Sequence, residues 1–330
     1  MRHHEHHHLH HEEPQDQGIG AAVGAVAQSA PAGQPAAATS GPPPTSSMSG
    51  GGTSLPPAAQ DRISRIAQGG SPGLAFTDYG QFAMIDDVGF DVLGAVVGLS
   101  IMHIGRVQLT GIRTPTELEA YSQALSAGIL NALGRLQEEA RQLGADGVLV
   151  SAVSKKHFDM EEHEYSVKGT AVRFRSKPGA LRTPSGDPFV CSTPVITLYQ
   201  MLRRGICPIA LGYGVCVYHV PHRTIRQSLG QTFQNTEVPI FTEGWYTARE
   251  IALTRLETQL QPKGAQWILD VDVAEEAEVF GEHTSEFRAV GTGWVRRDEV
   301  KQMIPEIDLV APSLIERGAV YPTIALPGTT

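Results

Sequence analysis

The 330-residue sequence predicts an α+β protein made of two tandem β-α-β-β units, each a small sheet packed on one long helix, behind a non-globular tail. Three observations predict it. Blocks of sequence recur at a nearly constant separation. A long stretch after Thr116 carries apolar residues at helical spacing. The first seventy positions are crowded with His, Pro, Gly, Ala and Ser.

Residues 1–70 divide into a histidine tract, Met1 to Glu13, and a stretch containing Pro42-Pro43-Pro44 and Gly50-Gly51-Gly52. Such a composition buries too little apolar area to offset the roughly 1–2 kcal/mol of backbone entropy lost per residue on folding, so 1–70 is expected to be a disordered tether. Gly18, Gly20 and Gly24 mimic a dinucleotide-binding pattern, but no apolar strand precedes them.

The repeat begins beyond the tail. Gly98-Leu99-Ser100-Ile101-Met102-His103 reads like Gly214-Val215-Cys216-Val217-Tyr218-His219, a shift of 116 that also places Gly89 on Gly205. Ala132-Leu133-Gly134-Arg135-Leu136 matches Ala252-Leu253-Thr254-Arg255-Leu256 at 120, as does Gly144-Ala145-Asp146 with Gly264-Ala265-Gln266, and Gly169-Thr170 matches Gly291-Thr292 at 122. A shift that creeps by small insertions means one structural unit used twice. The units are 72–178 and 184–300, joined by the turn-rich Pro178 to Pro188 segment and followed by a C-terminal extension, 301–330.

Within the first unit, Phe82 to Val88 is a short helix stopped by Gly89, and Val92 to Ile104 is a buried strand. Thr114-Pro115-Thr116-Glu117 has the pattern of a capping box. The helix it opens places Leu118, Tyr121, Leu125, Ile129, Leu133 and Leu136 on one face, is roughly 40 Å long at about 1.5 Å per residue, and stops at Gly144. Its counterpart runs from Glu237 to Lys263. After each helix come a strand (Gly147 to Val153; Trp267 to Val273), an acidic bend and a returning strand (Tyr165 to Phe174; Phe287 to Val295). One helix covers only one face of such a sheet, so the unit should associate, first with its twin and then with other chains.

These elements resemble the YbjQ-like family, labelled heavy-metal-binding. The resemblance is carried by the Gly98 to His103 strand, by the helix ending Leu143-Gly144-Ala145-Asp146-Gly147-Val148, and by Val167-Lys168-Gly169-Thr170-Ala171-Val172. It covers 184–300 less well, because Gln266-Trp267 replaces the Asp-Gly pair. The resemblance implies a β-α-β-β unit that forms rings of five subunits, with no settled activity. A duplicated chain departs from the single-unit pattern, and five chains could stack two rings.

Chemistry-bearing residues fall into four groups. His3, His4, His6, His7, His8, His10 and His11 form a flexible set of imidazoles able to take Zn, Ni or Cu, although an expression tag or a solvated tail would look similar. His103 and His219 end the first strand of each repeat, as metal ligands or as strand-end histidines with a satisfied hydrogen bond. His163 and His283 match at a shift of 120 in the acidic bends, each beside a Glu, as a mixed ligand set or as an exposed charged tip. Cys216 and His219 differ by three on a strand and so point to opposite faces, which leaves Cys216, His219 and His222 a poor ligand set unless the strand breaks at Pro221. Asp270 and Asp272 differ by two and should share a face.

The charge balance, 26 Lys plus Arg against 35 Asp plus Glu, gives −9 and argues against a nucleic-acid grip. Cys191, Cys207 and Cys216 cannot build a disulfide framework, and no apolar run reaches the roughly 18–20 residues that span a bilayer, so the cytoplasm is expected. P-loop, nucleophile-elbow and zincin motifs are absent. The expectation is a cytoplasmic, non-enzymatic homo-oligomer with metal binding or sequestration as its leading function, and a scaffold or protein-interaction module as the alternative.

Overall fold

A computed structural model describes residues 54–106, 108–157, 161–221, 235–277, 281–308 and 323–325. The histidine tract lies outside them. The architecture is mixed α+β. Helix α1 (Pro57–Ala67) precedes α2 (Tyr79–Val88), β1 (Phe90–His103), the two-residue β2 (Thr116–Glu117), α3 (Glu119–Gln142), β3 (Gly147–His157) and β4 (Glu162–Phe174). The series then begins again: β5 (Phe189–Cys191), α4 (Val195–Arg203), β6 (Ile206–His219), α5 (Pro239–Leu260), β7 (Trp267–Ala277) and β8 (Thr284–Arg296), with β9 (Thr323–Ala325) at the end.

Sheet one has the order β1-β4-β3, with β5 and β9 both parallel to β3 along its outer edge. Sheet two has the order β2-β6-β8-β7. The two have the same element order and the same irregularities. Each first strand carries a bulge, between Val92 and Gly94 and between Pro208 and Ala210, and so does each third strand, between Val150 and Ala152 and between Leu269 and Asp272. Bulges placed alike in two stretches of one chain are the structural counterpart of the sequence repeat.

The repeated glycines have a packing reason. A Cβ on Gly98 would fall on the carbonyl of Ala132 in α3, and a Cβ on Gly214 would fall on that of Ala252 in α5. Each helix thus lies with its backbone against the first strand of its own sheet. α3 also packs on sheet two: Ser122 Oγ accepts the Val217 N–H at 2.8 Å, the Leu118 N–H donates to the Val217 carbonyl at 2.8 Å, and Leu125, Ile129 and Leu133 share one core with Val215 and Val217. The layers therefore run sheet one, α3, sheet two, α5. A second core under α2 and α4 gathers Phe90, Phe174, Phe189, Leu198 and Trp294.

Three expectations are corrected. Residues 57–67, placed in the tail by composition, form a helix whose Ile63 is buried and whose Arg62 pairs with the buried Glu139. An apolar anchor and one ion pair outweigh the local composition there. No capping box forms, because Thr116 and Glu117 pair as β2 with His219 and Tyr218 of sheet two, and α3 starts without a side-chain cap. The bulge in β7 inserts a residue between Asp270 and Asp272, with Asp270 at φ 57°, so simple alternation no longer gives them a common face.

Gly98→Ala is expected to cost at least about 3 kcal/mol, at the upper end of overpacking effects, because helix backbone rather than a movable side chain must yield. Gly105→Ala, where a Cβ meets nothing within 4 Å, serves as the near-neutral control. Chemical denaturation midpoints of the two variants check this, and equal midpoints would contradict the packing.

Candidate functional site

The repeated histidines end equivalent strands but meet different partners. His103, exposed at the end of β1, has Nδ1 2.9 Å from Glu162 Oε1 and Nε2 3.6 Å from Glu161 Oε2. His219 is buried at the end of β6, with Nδ1 2.7 Å from Thr284 Oγ1. Strand register makes Glu162 and Thr284 the same position, since they pair with His103 and His219 respectively. Each imidazole is thus held by its cross-strand neighbour, a carboxylate in one unit and a hydroxyl in the other. Burial, with a contribution from His283, pushes the His219 imidazole below its ordinary range.

His163 and His283 are not equivalent, although the sequence aligns them. Met102 pairs with His163 and its counterpart Tyr218 pairs with Ser285, so Ser285 holds the position of His163. His283 lies just before β8 at φ 58°, with Nε2 3.1 Å from Glu282 and its ring against Phe241. Cys216 and His219 do face opposite sides: Cys216 joins the core under α5, whereas Val215 and Val217, which alternate with it, face α3. His222 lies outside the described residues. Burial pushes the thiols up, to about 11 for Cys191 and Cys207 and about 12 for Cys216, which suits packed apolar groups better than ligands. Among the described residues, no three His, Cys, Asp or Glu side chains come together as a metal-binding group.

Sequence reasoning missed a buried ionic cluster between the sheets. Lys155 in β3 reaches Glu286 in β8 and Glu276 in β7, the latter at 3.0 Å, and Arg288 lies 3.5 Å from Glu276 and 3.6 Å from Glu286. His157 Nδ1 is 3.4 Å from Glu276. Burial opposes the Glu286 charge, but Lys155 and Arg288 outweigh it and hold the carboxyl below the usual range. Two cations and two carboxylates balance each other in charge here, with Lys155 bonded to both carboxylates and Arg288 close to both, so the arrangement ties the two sheets together. The partners are separated by more than a hundred residues, and no local pattern in the sequence links them.

His163 adjoins this cluster. Burial and the neighbouring Lys155 push its imidazole down to about 4. Among the described residues, one surface hollow beside α5 is lined by Glu117, Glu250 and Arg255. Another of about 390 Å³, beside α2 and β3, has Asp78 as its acid, and that side chain caps α2 by accepting the Gln81 N–H at 2.7 Å.

Large apolar side chains lie exposed in two groups. Leu74, Tyr79, Phe82, Leu99 and Ile101 belong to the first unit; Tyr246, Trp267, Leu269, Val271 and Val273 belong to the second. Strand β7 has apolar residues on both faces, because Ile268 and Val271 flank Gly291 on the α5 side while the bulge leaves Trp267 and Leu269 on the other. A strand apolar on both faces has the composition of a sheet interior, yet among the described residues β7 pairs with β8 alone.

Residues 85–175 match a family model described as "Putative heavy-metal-binding". That match spans most of the first unit and no part of the second. The encapsulin nanocompartment protein Rv1762c of Mycobacterium tuberculosis is 35% identical over 247 residues, 74% of this chain and 92% of that protein. A UPF0145 protein of Archaeoglobus fulgidus is 33% identical over 89 residues, 26% of this chain and 82% of its own length. One of Thermus thermophilus is 38% identical over 86 residues, 25% of this chain and 75% of its own. No solved structure matches the chain.

The pH dependence of stability follows from His163. Its pKa falls from about 6.5 in the unfolded chain to about 4 in the fold, so between those values the unfolded state binds the extra proton. Stability is therefore expected to fall by roughly 3 kcal/mol as pH drops from about 6.5 to about 4, at 1.36 kcal/mol per unit. His163→Gln should flatten this slope in denaturant titrations at pH 7 and pH 5. An unchanged slope would contradict the assignment.

Proposed function

Because the chain belongs to the family of the encapsulin nanocompartment protein of Mycobacterium tuberculosis, we propose that it is a self-assembling structural subunit of a protein compartment. The observation that carries this reading is the extent of the relationship, which takes in 92% of that protein and 74% of this chain. The two groups of exposed apolar side chains support it, since a lone soluble chain rarely leaves so many in water. We take the protein as a non-enzyme, since the relatives it matches are a nanocompartment protein and UPF0145 proteins.

We take both halves as YbjQ-like units and their assembly as a ring. The shared bulges and the shared glycine-to-helix contacts support the duplication; the unequal faces of the stacked layers support a ring. No helix among the described residues is long and apolar enough to cross a membrane, and we place the protein in the cytoplasm. Metal sequestration gives way to assembly as the leading function, because the relative that covers 74% of this chain is a nanocompartment protein. Any metal taken up is assigned to the seven tail histidines, His3 to His11, as a secondary property with Zn, Ni or Cu as candidates.

Two measurements on the full chain and on a chain beginning at Ser54 test this. The cut is made at Ser54 because one at Ser71 would remove Arg62 and leave the buried Glu139 without its cation. Native mass spectrometry should give several times the mass of one chain for both proteins, that mass being 35.4 kDa for the full chain, and a monomer at micromolar concentration would overturn the compartment reading. After dialysis, metal should stay with the full chain only. One or more tight ions on the shorter chain would move the site into the core.

A further inference from the structure

We propose that the interface between the two units of one chain is repeated between chains, with the second unit of one copy covering the first unit of the next. This rests on the self-assembly reading and specifies its contact surfaces. The occupant of each surface is a second copy of this chain.

The exposed side chains mark the surfaces. Leu74, Tyr79, Phe82, Leu99 and Ile101 are between 43% and 97% exposed. Adding the repeat shift of 116 gives Val190, Val195, Leu198, Val215 and Val217, which are between 0% and 7% exposed. Those counterparts are buried because the first unit covers them: Val190 lies in β5 on the edge of β3, and Val215 and Val217 face α3. The first unit therefore presents, uncovered, the surface that the second unit hides against it.

The covering surface is also present twice and used once. The edge and faces of β3 correspond to those of β7, and the second unit reaches both faces of β3: Leu149 shares a core with Phe189 and Leu198 of β5 and α4, and Val153 shares the α3 core with Val215 and Val217. In β7, Leu269 and Val273 are 39% and 36% exposed, whereas Leu149 and Val153, 120 residues earlier, are 7% and 3% exposed. Of the exposed large apolar side chains among the described residues, two fall outside these surfaces, Leu130 on α3 and Tyr246 on the outward side of α5.

Backbone bonding favours the same edge. The outer edges of β1 and β6 are closed by their own helices: Arg135 donates to the Leu99 carbonyl at 2.7 Å and Arg255 to that of Val215 at 2.7 Å, while Glu139 and Gln259 accept the Val97 and Tyr213 N–H groups at 3.3 and 2.5 Å. Over those residues the two edges are occupied, and the end of the β6 edge already carries β2, so among the described residues the outer edge of β7 is the one with neither a helix side chain nor a strand on it. A contact between two different surfaces is heterologous and propagates head to tail, closing into a ring where the rotation allows.

Two variants test it by native mass spectrometry. Leu99→Asp with Ile101→Asp disables the first surface; Leu269→Asp with Val273→Asp disables the second. Each alone should reduce the assembly to monomers, and an equimolar mixture should form a one-to-one dimer through the pair of surfaces left intact. Circular dichroism melting monitors folding, and Tyr79→Asp with Phe82→Asp is a second way to disable the first surface, with the same expected outcome. A wild-type assembly that survives either pair of substitutions overturns these surfaces while leaving the self-assembly reading intact. Monomers that stay monomeric on mixing overturn the head-to-tail pairing. A monomeric wild type would defeat the self-assembly reading itself.

Discussion

A three-stranded sheet has two faces, and a unit that supplies one helix can cover only one of them. The rest of the structure follows from that shortage. Duplication answers it for sheet two, whose faces are covered by α3 from the first unit and α5 from its own. Sheet one has α3 on its inner face and only the short helices α2 and α4 at one end of the other. The strand edges show the same imbalance, since β3 receives β5 and β9 while β7 pairs with β8 alone among the described residues. Tandem duplication thus moves the uncovered surface to the ends of the chain without removing it.

The contact between the units is fixed by two kinds of interaction. The apolar core around α3 supplies burial, which is strong but tolerant of sliding. The Lys155, Glu276, Glu286 and Arg288 cluster supplies direction, because buried charges are tolerated only when each finds its partner. Replacing such a cluster with apolar residues can leave stability unchanged or raise it, so the value of the charges lies in setting how sheet one lies on sheet two. The counterpart of Lys155 at the other end of the chain is Glu275, so the same set of charges is not repeated there.

Much of the fold was legible in the sequence because it rests on local periodicity and on the repeat. The spacing of Leu118 to Leu136 located α3, and the repeat paired Gly98 with Gly214, although that both glycines let a helix backbone come close emerged only from the structure. What depended on distant partners was not legible. Thr116 and Glu117 have the composition of a helix cap but pair with a strand a hundred residues away, and α1 holds through Ile63 and Arg62 against the composition around it. The candidate site was legible only in outline: the strand-end positions of His103 and His219 hold, while His163 and His283 separate because the register follows the later shift of 122 rather than 120. The ionic cluster left no trace, since its members lie on three strands far apart in sequence.

If the account is right, β7 is an interior strand of the assembly. Hydrogen–deuterium exchange of the assembled wild-type protein addresses this most directly, read at the amides of Trp267 to Val273 and compared with β8. The account predicts that the outward amides of β7 are protected to within about an order of magnitude of those in β8, because a second copy covers the edge. Exchange of those amides at the rate of exposed coil, in a protein shown to be assembled, would contradict it.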